Sequence, residues 1–232
     1  MQLRKVLRTI SKVLLIGTGL LVAGLLVAHL VWKYSGSGQW EQVLSKNGVT
    51  IYARKNPGST LKEFKGVRTV KTTLNTAVAA MKSTDIEDCA DWIPGCASGM
   101  DVERWNPQGK YFIHYYHVNY GGPFSPREFL LKTHFTRTAE KGVLVEFTAL
   151  PNLLPRHDCC YRIEDMHNSW RYTPLANGDV QVELQVHMDH GLPYFMINRG
   201  APYGLYSLFS ELPRLINKDK FTHADPNLLA QL

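Results

Sequence analysis

Two short clusters gather the side chains that bind metals or move protons: His157-Asp158-Cys159-Cys160 and His187-Met188-Asp189-His190. Imidazole, carboxylate and thiolate are the ordinary ligands of zinc and its neighbours. In the second cluster His187 and Asp189 share one strand face, and His190 follows at a Gly191 turn. No helix-borne H-x-x-x-H or C-x-x-C spacing enforces a coordination shell there, so polar residues at a strand end are the plain explanation and no metal is expected. Cys159 and Cys160 are adjacent, and on a strand they point to opposite faces, which argues against one metal or redox centre shared between them. Cys89 and Cys96 flank a Pro94-Gly95 turn that permits a disulfide in an oxidising compartment, although two free, buried thiols are the expectation. A G-x-S-x-G elbow, a phosphate loop and a dinucleotide fingerprint are all missing from the sequence. No catalytic residue and no cofactor is expected, and the chain is read as a non-enzyme.

The hydrophobic pattern marks the elements that must carry these residues. From Val13 to Trp32 the chain is apolar all round and holds no formal charge, over about the 20 residues a helix needs to cross a bilayer. A secretory signal has a shorter apolar core of about 7 to 15 residues and small residues at its cleavage point. Here the small residues, Ser35-Gly36-Ser37-Gly38, lie beyond Lys33. Residues 1–33 therefore read as an uncleaved transmembrane anchor, with a cleaved signal as the alternative, and 34–39 as a short linker. Arg4, Lys5, Arg8 and Lys12 precede the span and Lys33 follows it, which keeps the N-terminus cytoplasmic and puts the rest on the other side. In a bacterium this means an inner-membrane anchor and a periplasmic domain. Five of the 26 Lys and Arg lie in this segment without any acid, so the formal charge of +6 shrinks to 21 basic against 20 acidic residues beyond it. That balance gives no electrostatic footprint for nucleic acid.

The remaining length suits one domain, 40–222, followed by a tail, 223–232. Strands are expected over 46–54, 62–71, 101–106, 110–119, 128–138, 142–149, 159–166, 169–174 and 179–188, joined by turns such as Asn177-Gly178-Asp179 into an antiparallel meander. Leu74, Ala77, Val78 and Met81 recur at helical spacing behind Thr72 and Thr73. Leu205, Leu208, Phe209, Leu212, Leu215 and Ile216 do so near the end, where Pro202 and Pro213 are expected to kink the helix or restart it.

Four stretches occur in a fixed order: Asn47-Gly48-Val49-Thr50-Ile51-Tyr52, then Lys62-Glu63-Phe64-Lys65-Gly66, then Gly122-Pro123-Phe124-Ser125-Pro126-Arg127-Glu128-Phe129, then Trp170-Arg171-Tyr172-Thr173-Pro174 running on to Gly191-Leu192-Pro193 and Asn198. This order resembles the START family of lipid-transfer domains over roughly residues 40 to 220. The resemblance implies an α+β helix-grip fold, in which a curved antiparallel sheet wraps a long C-terminal helix. It also implies a closed lipid pocket that requires no chemistry.

In 111–120 both strand faces are rich in aromatics, so pattern alone does not choose the inner one. Counting back from Pro126-Arg127, the family's cavity-facing acidic position falls on His114 and its arginine partner on Thr133. That choice turns Phe112, His114, Tyr116 and Val118 inward, with Leu131, Thr133 and Phe135 on the next strand, and leaves Lys132 outside. Val145 and Phe147, then Leu184 and Val186, point in by the same alternation. Phe124 near the tip of the loop 119–126, and Asn198, Tyr206 and Phe209 on the last helix, complete the expected ligand contacts. The loop and the start of that helix are the expected gate. His114 with Thr133 replaces a buried charged pair, so sterol specificity does not carry over; His114 is either a hydrogen-bonding partner of the lipid or a satisfied core histidine. Arg127 and Arg162 are candidate counter-ions for an anionic headgroup, the alternative for Arg127 being an ion pair within the protein.

The sequence thus points to a monomeric, membrane-anchored protein that holds one hydrophobic ligand, whether phospholipid, sterol-like or another lipid. A cyclase-like enzyme on a polyketide or aromatic substrate, and an envelope lipid sensor or scaffold, are the alternatives. Residues 1–33 are expected to stay on the mature protein. Alkaline extraction then leaves the intact chain in the membrane fraction, whereas a mature N-terminus near Gly38 would show a cleaved signal.

Overall fold

A computed structural model describes residues 2–83 and 86–232. The chain divides into two compact units, one running to Gln39 and including Arg54–Thr60, the other holding Trp40–Ala53 and Leu61–Leu232.

In the first unit, helix α1 (Gln2–Tyr34) contains a stretch, Lys5–Tyr34, long and apolar enough to cross a membrane, a test that a signal sequence also passes. The last carbonyls of any helix lack partners within it. Here Lys55 supplies one: its buried ammonium donates to the carbonyls of Lys33 (3.2 Å), Ser35 (3.1 Å), Asn56 (3.1 Å) and Ser59, and lies 5.3 Å from the centre of the Trp32 ring. A cation at a helix C-terminus also meets the negative end of the macrodipole.

Among the described residues, the second unit is a sheet of ten strands with helices on its concave side. The strands are β1 (Glu41–Lys46), β2 (Val49–Arg54), β3 (Glu63–Val70), β4 (Cys96–Asn106), β5 (Tyr111–Val118), β6 (Arg127–Arg137), β7 (Val143–Ala149), β8 (Tyr161–Arg162), β9 (His167–Pro174) and β10 (Val180–Val186). Their order is β1-β2-β3-β10-β9-β7-β6-β5-β4, with β8 alone off the path, parallel to β6. From β4 to β7, and again from β9 to β10, each strand lies beside its successor, as short turns dictate. The helices are α2 (Leu74–Lys82), α3 (Ile86–Trp92), α4 (Tyr194–Ile216) and α5 (Asp219–Thr222). Thr73 caps α2, its side chain accepting from the Thr76 amide. After α5, Leu228 is buried in the same core as Val78 and Phe221.

Three details depart from the sequence reading. Strand β1 was not expected, because its residues are mostly exposed and lack an apolar face. The strand expected over 159–166 shrinks to Tyr161–Arg162, because residues 158–160 turn instead of extending. And α4 does not restart at Pro202 or Pro213 but runs as one helix through both.

The passage through Pro213 has a visible cause. Proline has no N–H for the carbonyl four residues back, which here belongs to Phe209. Arg68 of β3 fills the gap, its Nη1 donating to the Phe209 carbonyl and to that of Ser210 at 3.0 Å. Beside it, Gly66 gives α4 room: a Cβ at this position would stand 2.6 Å from the Phe209 ring, which is closer than packed carbon atoms approach. The Phe209 ring in turn stacks on Trp170, 5.9 Å between centres.

Arg68→Ala is expected to cost about 1–3 kcal/mol in urea unfolding by leaving a buried carbonyl unpaired. Adding Pro213→Ala, which restores the helix donor, should recover part of that loss; equal losses with and without Pro213 would remove this account.

Candidate functional site

Between the concave face of the sheet and α4 lies a cavity of about 960 Å³. Its floor is Phe112 and Tyr116 from β5, Phe129 and Leu131 from β6, Phe147 from β7, Trp170 from β9, and Leu184 and Val186 from β10. Strand alternation puts these on one face, and the ladder sets Leu131 against His114 and Thr133 against both Phe112 and Phe147. The roof is α4 through Ile197, Ala201, Leu205 and Leu208, and the rim is α3, the Pro94-Gly95 turn and the loop bearing Tyr120 and Phe124. Nearly all of this surface is apolar, with a few polar groups placed among it, as in most ligand pockets.

Of the residues expected to touch a ligand, Phe112, Tyr116, Phe124, Leu131, Phe147, Leu184 and Val186 line the cavity. Val118, Phe135, Val145 and Phe209 are buried in the cores around it. Asn198 accepts the Lys62 amide at 2.8 Å and Tyr206 bonds Asn47 at 3.2 Å, so they tie α4 to the start of β3 and to the β1–β2 turn. Thr133 is buried in the ladder.

His114 stands behind Tyr116, with one ring nitrogen hydrogen-bonded and the other against a carboxylate. Its Nδ1 is 2.8 Å from the Tyr116 hydroxyl, and its Nε2 is 2.5 Å from Asp101 of β4. Burial lowers the pKa of His114, the Asp101 carboxylate pulling the other way. Because a carboxylate only accepts, the Asp101 contact favours the neutral tautomer with its proton on Nε2, in which Nδ1 accepts from Tyr116. Tyr116 itself lines the cavity, and its oxygen keeps lone pairs that can accept when the hydroxyl donates to His114. Burial, with Asp101 adding to it, pushes the Tyr116 pKa well above its ordinary value, so the phenol stays protonated.

Neither arginine lines the cavity. Arg127 is buried, and among the described residues it takes carbonyls and rings where an ion pair was expected: Nε donates to the His190 carbonyl at 3.2 Å, Nη1 to that of Ser125, and the guanidinium lies over Tyr120 and Tyr161. It thereby fastens the rim loop to the entry of α4. Arg162 lies on the outer face, fully buried against Glu128 of β6, with Nε to Oε2 at 3.0 Å. Its other nitrogens donate to the carbonyls of Pro151 (3.0 Å), Leu154 (3.3 Å) and Pro155 (2.9 Å). The second Glu128 oxygen accepts from Tyr115 at 2.8 Å and bonds His157. Burial opposes ionisation of Glu128, but the bonds from His157, Tyr115 and Arg162 outweigh it and hold the pKa below the usual carboxylate value.

The cysteines correct the sequence reading. Cys89 and Cys96 form a disulfide that ties α3 to the start of β4, because the turn at Pro94-Gly95 does fold the chain back. Cys159 and Cys160 are also joined, since they occupy a turn and not a strand. The second histidine cluster is dispersed. His187 faces Asp165 and Glu63 at 3.4 and 4.0 Å, and Asp189 accepts from the Gly191 amide at 2.8 Å. His190 turns into the cavity, where its Nδ1 lies 3.1 Å from Tyr120.

Reasoning from the sequence missed the wall formed by α3. Asp88 and Asp91 meet Lys218 at 2.7 and 2.5 Å, and Asp88 meets Lys220 at 2.8 Å, closing the cavity beside the end of α4. The signal was an acidic pair three apart on one helix turn, with its basic partners some 130 residues away.

No family model matches the chain. Over 161 residues it is 23% identical to an uncharacterized protein of Pseudomonas aeruginosa, PA1579, a match spanning 68% of this chain and 77% of that one. Among solved structures, a STAR-related lipid transfer protein from Xanthomonas axonopodis superposes with a TM-score of 0.70 at 21% identity, covering 78% of this chain and all (100%) of that one. Human STARD10 gives 0.68 at 13% identity, covering 82% and 77%, and human StAR-related lipid transfer protein 5 gives 0.64 at 16%, covering 85% and 95%. At such identities the likeness is one of fold: the helix-grip fold of START domains.

Acid is expected to loosen the site. Burial pushes the pKa of His190 down to about 4 from an ordinary 6.5, Asp189 opposing and Arg127 adding. The unfolded chain therefore binds more protons than the native one between these values. Stability from this group is complete above pH 6.5 and is lost as pH falls toward 4, with His114 acting in the same direction. His190→Gln should flatten the decline in denaturation midpoint between pH 6.5 and 4; an unchanged slope would show that His190 is not its source.

Proposed function

We propose that this START-fold domain holds a single lipid in its cavity and takes it from, or delivers it to, the membrane in which α1 is anchored, acting as a monomer and without chemical change to the ligand. The observation that carries the proposal is the cavity itself: about 960 Å³ walled by apolar side chains from five strands and α4. An acyl chain or fused-ring skeleton gains about 25 cal/mol for each Å² of apolar surface withdrawn from water. The Tyr116 oxygen, oriented by His114 and Asp101, offers one acceptor to a lipid hydroxyl or amide. The positive charges in the first turns of α1, ahead of its apolar stretch, support a non-cytoplasmic, in bacteria periplasmic, position for the domain.

A carrier fits the cavity better than a cyclase does. Catalysis on a polyketide needs an acid or base open to the substrate. His114 sets its nitrogens against Tyr116 and Asp101, and His190, which lines the cavity with Nδ1 against Tyr120, is made a weak base by burial. His114→Ala should therefore shift lipid preference and leave no turnover to lose.

The reading is tested with the full chain in phospholipid vesicles carrying a photoreactive acyl chain. Labelling is expected on cavity residues such as Leu184 or Trp170. Ala201→Trp, which fills the roof, should lower it about tenfold, the equivalent of about 1.4 kcal/mol. Labelling confined to α1 and the outer surface would defeat the proposal.

A further inference from the structure

On the outer face of the sheet, away from the cavity, three potential metal ligands meet. The Sγ atoms of Cys159 and Cys160 and a ring nitrogen of His117 all lie within 4.8 Å of one another. Cys160 Sγ is 3.5 Å from His117 Nε2. A tetrahedral zinc ion, with Zn–S of about 2.3 Å and Zn–N of about 2.0–2.1 Å, sets its sulfur and nitrogen ligands about 3.5 Å apart. Nitrogen and one sulfur are thus already at the spacing of two corners of such a site.

We propose that reduction of the Cys159–Cys160 disulfide converts this cluster into a site for one zinc ion, held by the two thiolates and His117 Nε2, with the fourth position open to water. The proposal goes beyond lipid carriage and does not rest on it. A thiol reductant supplies two electrons and two protons: the S–S bond breaks, two thiols form, and the reductant leaves as its own disulfide. Zinc then displaces both thiol protons, and Zn²⁺ with two thiolates and a neutral imidazole is a site of zero net charge. Oxidation by a disulfide of higher potential reverses the sequence, re-forming S–S and releasing the metal.

The scaffold favours this outcome. His117 is held in β5, where it pairs with Glu128 of β6. The turn is closed by the Cys160 amide donating to the His157 carbonyl at 3.2 Å, and it is pinned on both sides by Glu128, through His157 before it and Arg162 after it. Only Cys159, which is exposed, needs to swing when the bond opens. Exposure also directs the reductant, since thiol exchange depends on access; in the other disulfide Cys89 is buried. Two sulfurs and an imidazole select zinc or cuprous ion over magnesium or calcium.

Cobalt(II), a spectroscopic stand-in for zinc, gives the test. The full chain in detergent is treated with a phosphine, freed of it, and titrated with cobalt without oxygen. The reduced protein is expected to bind one equivalent with a thiolate-to-cobalt charge-transfer band that zinc abolishes, and the oxidised protein to show none. His117→Ala should weaken binding about tenfold or more, the equivalent of about 1.4 kcal/mol. A Cys159→Ser, Cys160→Ser double variant, which keeps Cys89 and Cys96, should bind none. A second reading needs no variant: zinc should protect Cys159 and Cys160 of the reduced wild type from alkylation. Absence of the band from reduced wild type, an unchanged affinity in His117→Ala, a cobalt signal in the double variant, or alkylation at the same rate with and without zinc would each overturn the proposal.

Discussion

Glu128 and Arg162 are both fully withdrawn from water, and the rest of the molecule is arranged so that they remain paired. Removing one member of such a pair typically costs about 3–5 kcal/mol, because the survivor is left charged in a poor solvent. Replacing both by apolar residues is often neutral, so the pair acts less as glue than as a requirement on where the chain goes. To meet it, residues 150–160 must cross the outer face so that Pro151, Leu154 and Pro155 can present carbonyls to Arg162. That crossing lays Leu150 and Leu154 over Ile113, Tyr115 and Leu130 and seals a face that would otherwise be wet.

The neighbouring residue on β6 does the equivalent work on the other side. Arg127 gathers Ser125, His190, Tyr120 and Tyr161, and the Tyr161 ring occupies the space beside Gly191 that any Cβ would need. Gly191 also has a φ of 63°, a region open chiefly to glycine. Two consecutive side chains of β6 thus divide the work, Arg127 fixing the entry to α4 and the rim of the cavity, and Glu128 the outer loop. Between them α4 packs one side tightly, through Phe209, Leu212 and Ile216, and leaves the other to the cavity.

The sequence made the fold legible where local rules suffice. Turn residues such as Asn177-Gly178 and the alternation in 110–119 and 142–149 placed most strands, and the ordered motifs identified their arrangement. It was less legible where a distant partner overrides a local rule. Pro213 reads as a break until Arg68 is seen bonding Phe209, and Cys159-Cys160 reads as a strand until Arg162 is seen drawn back to Glu128. The inward direction of His114 came from the family resemblance, by counting back from Pro126-Arg127, since alternation alone left both faces open; Asp101, 2.5 Å from its far nitrogen, sits across a strand pair whose register has several bulges. Register shifts of that kind leave no mark that counting can follow.

Lys55 carries a consequence for the timing of maturation. Proteases that dock their substrate as an extended strand need its backbone groups unengaged. Around the Ser35–Gly38 segment those groups are spoken for: the carbonyls of Lys33 and Ser35 accept from Lys55, the Lys33 carbonyl also accepts from Gly58, and the Gly38 amide donates to the Lys55 carbonyl. Folding therefore engages the same few peptide units that cleavage at this point would require. A chain in which Arg54–Thr60 has already closed on the end of the helix would offer any such protease a knot where it needs a thread.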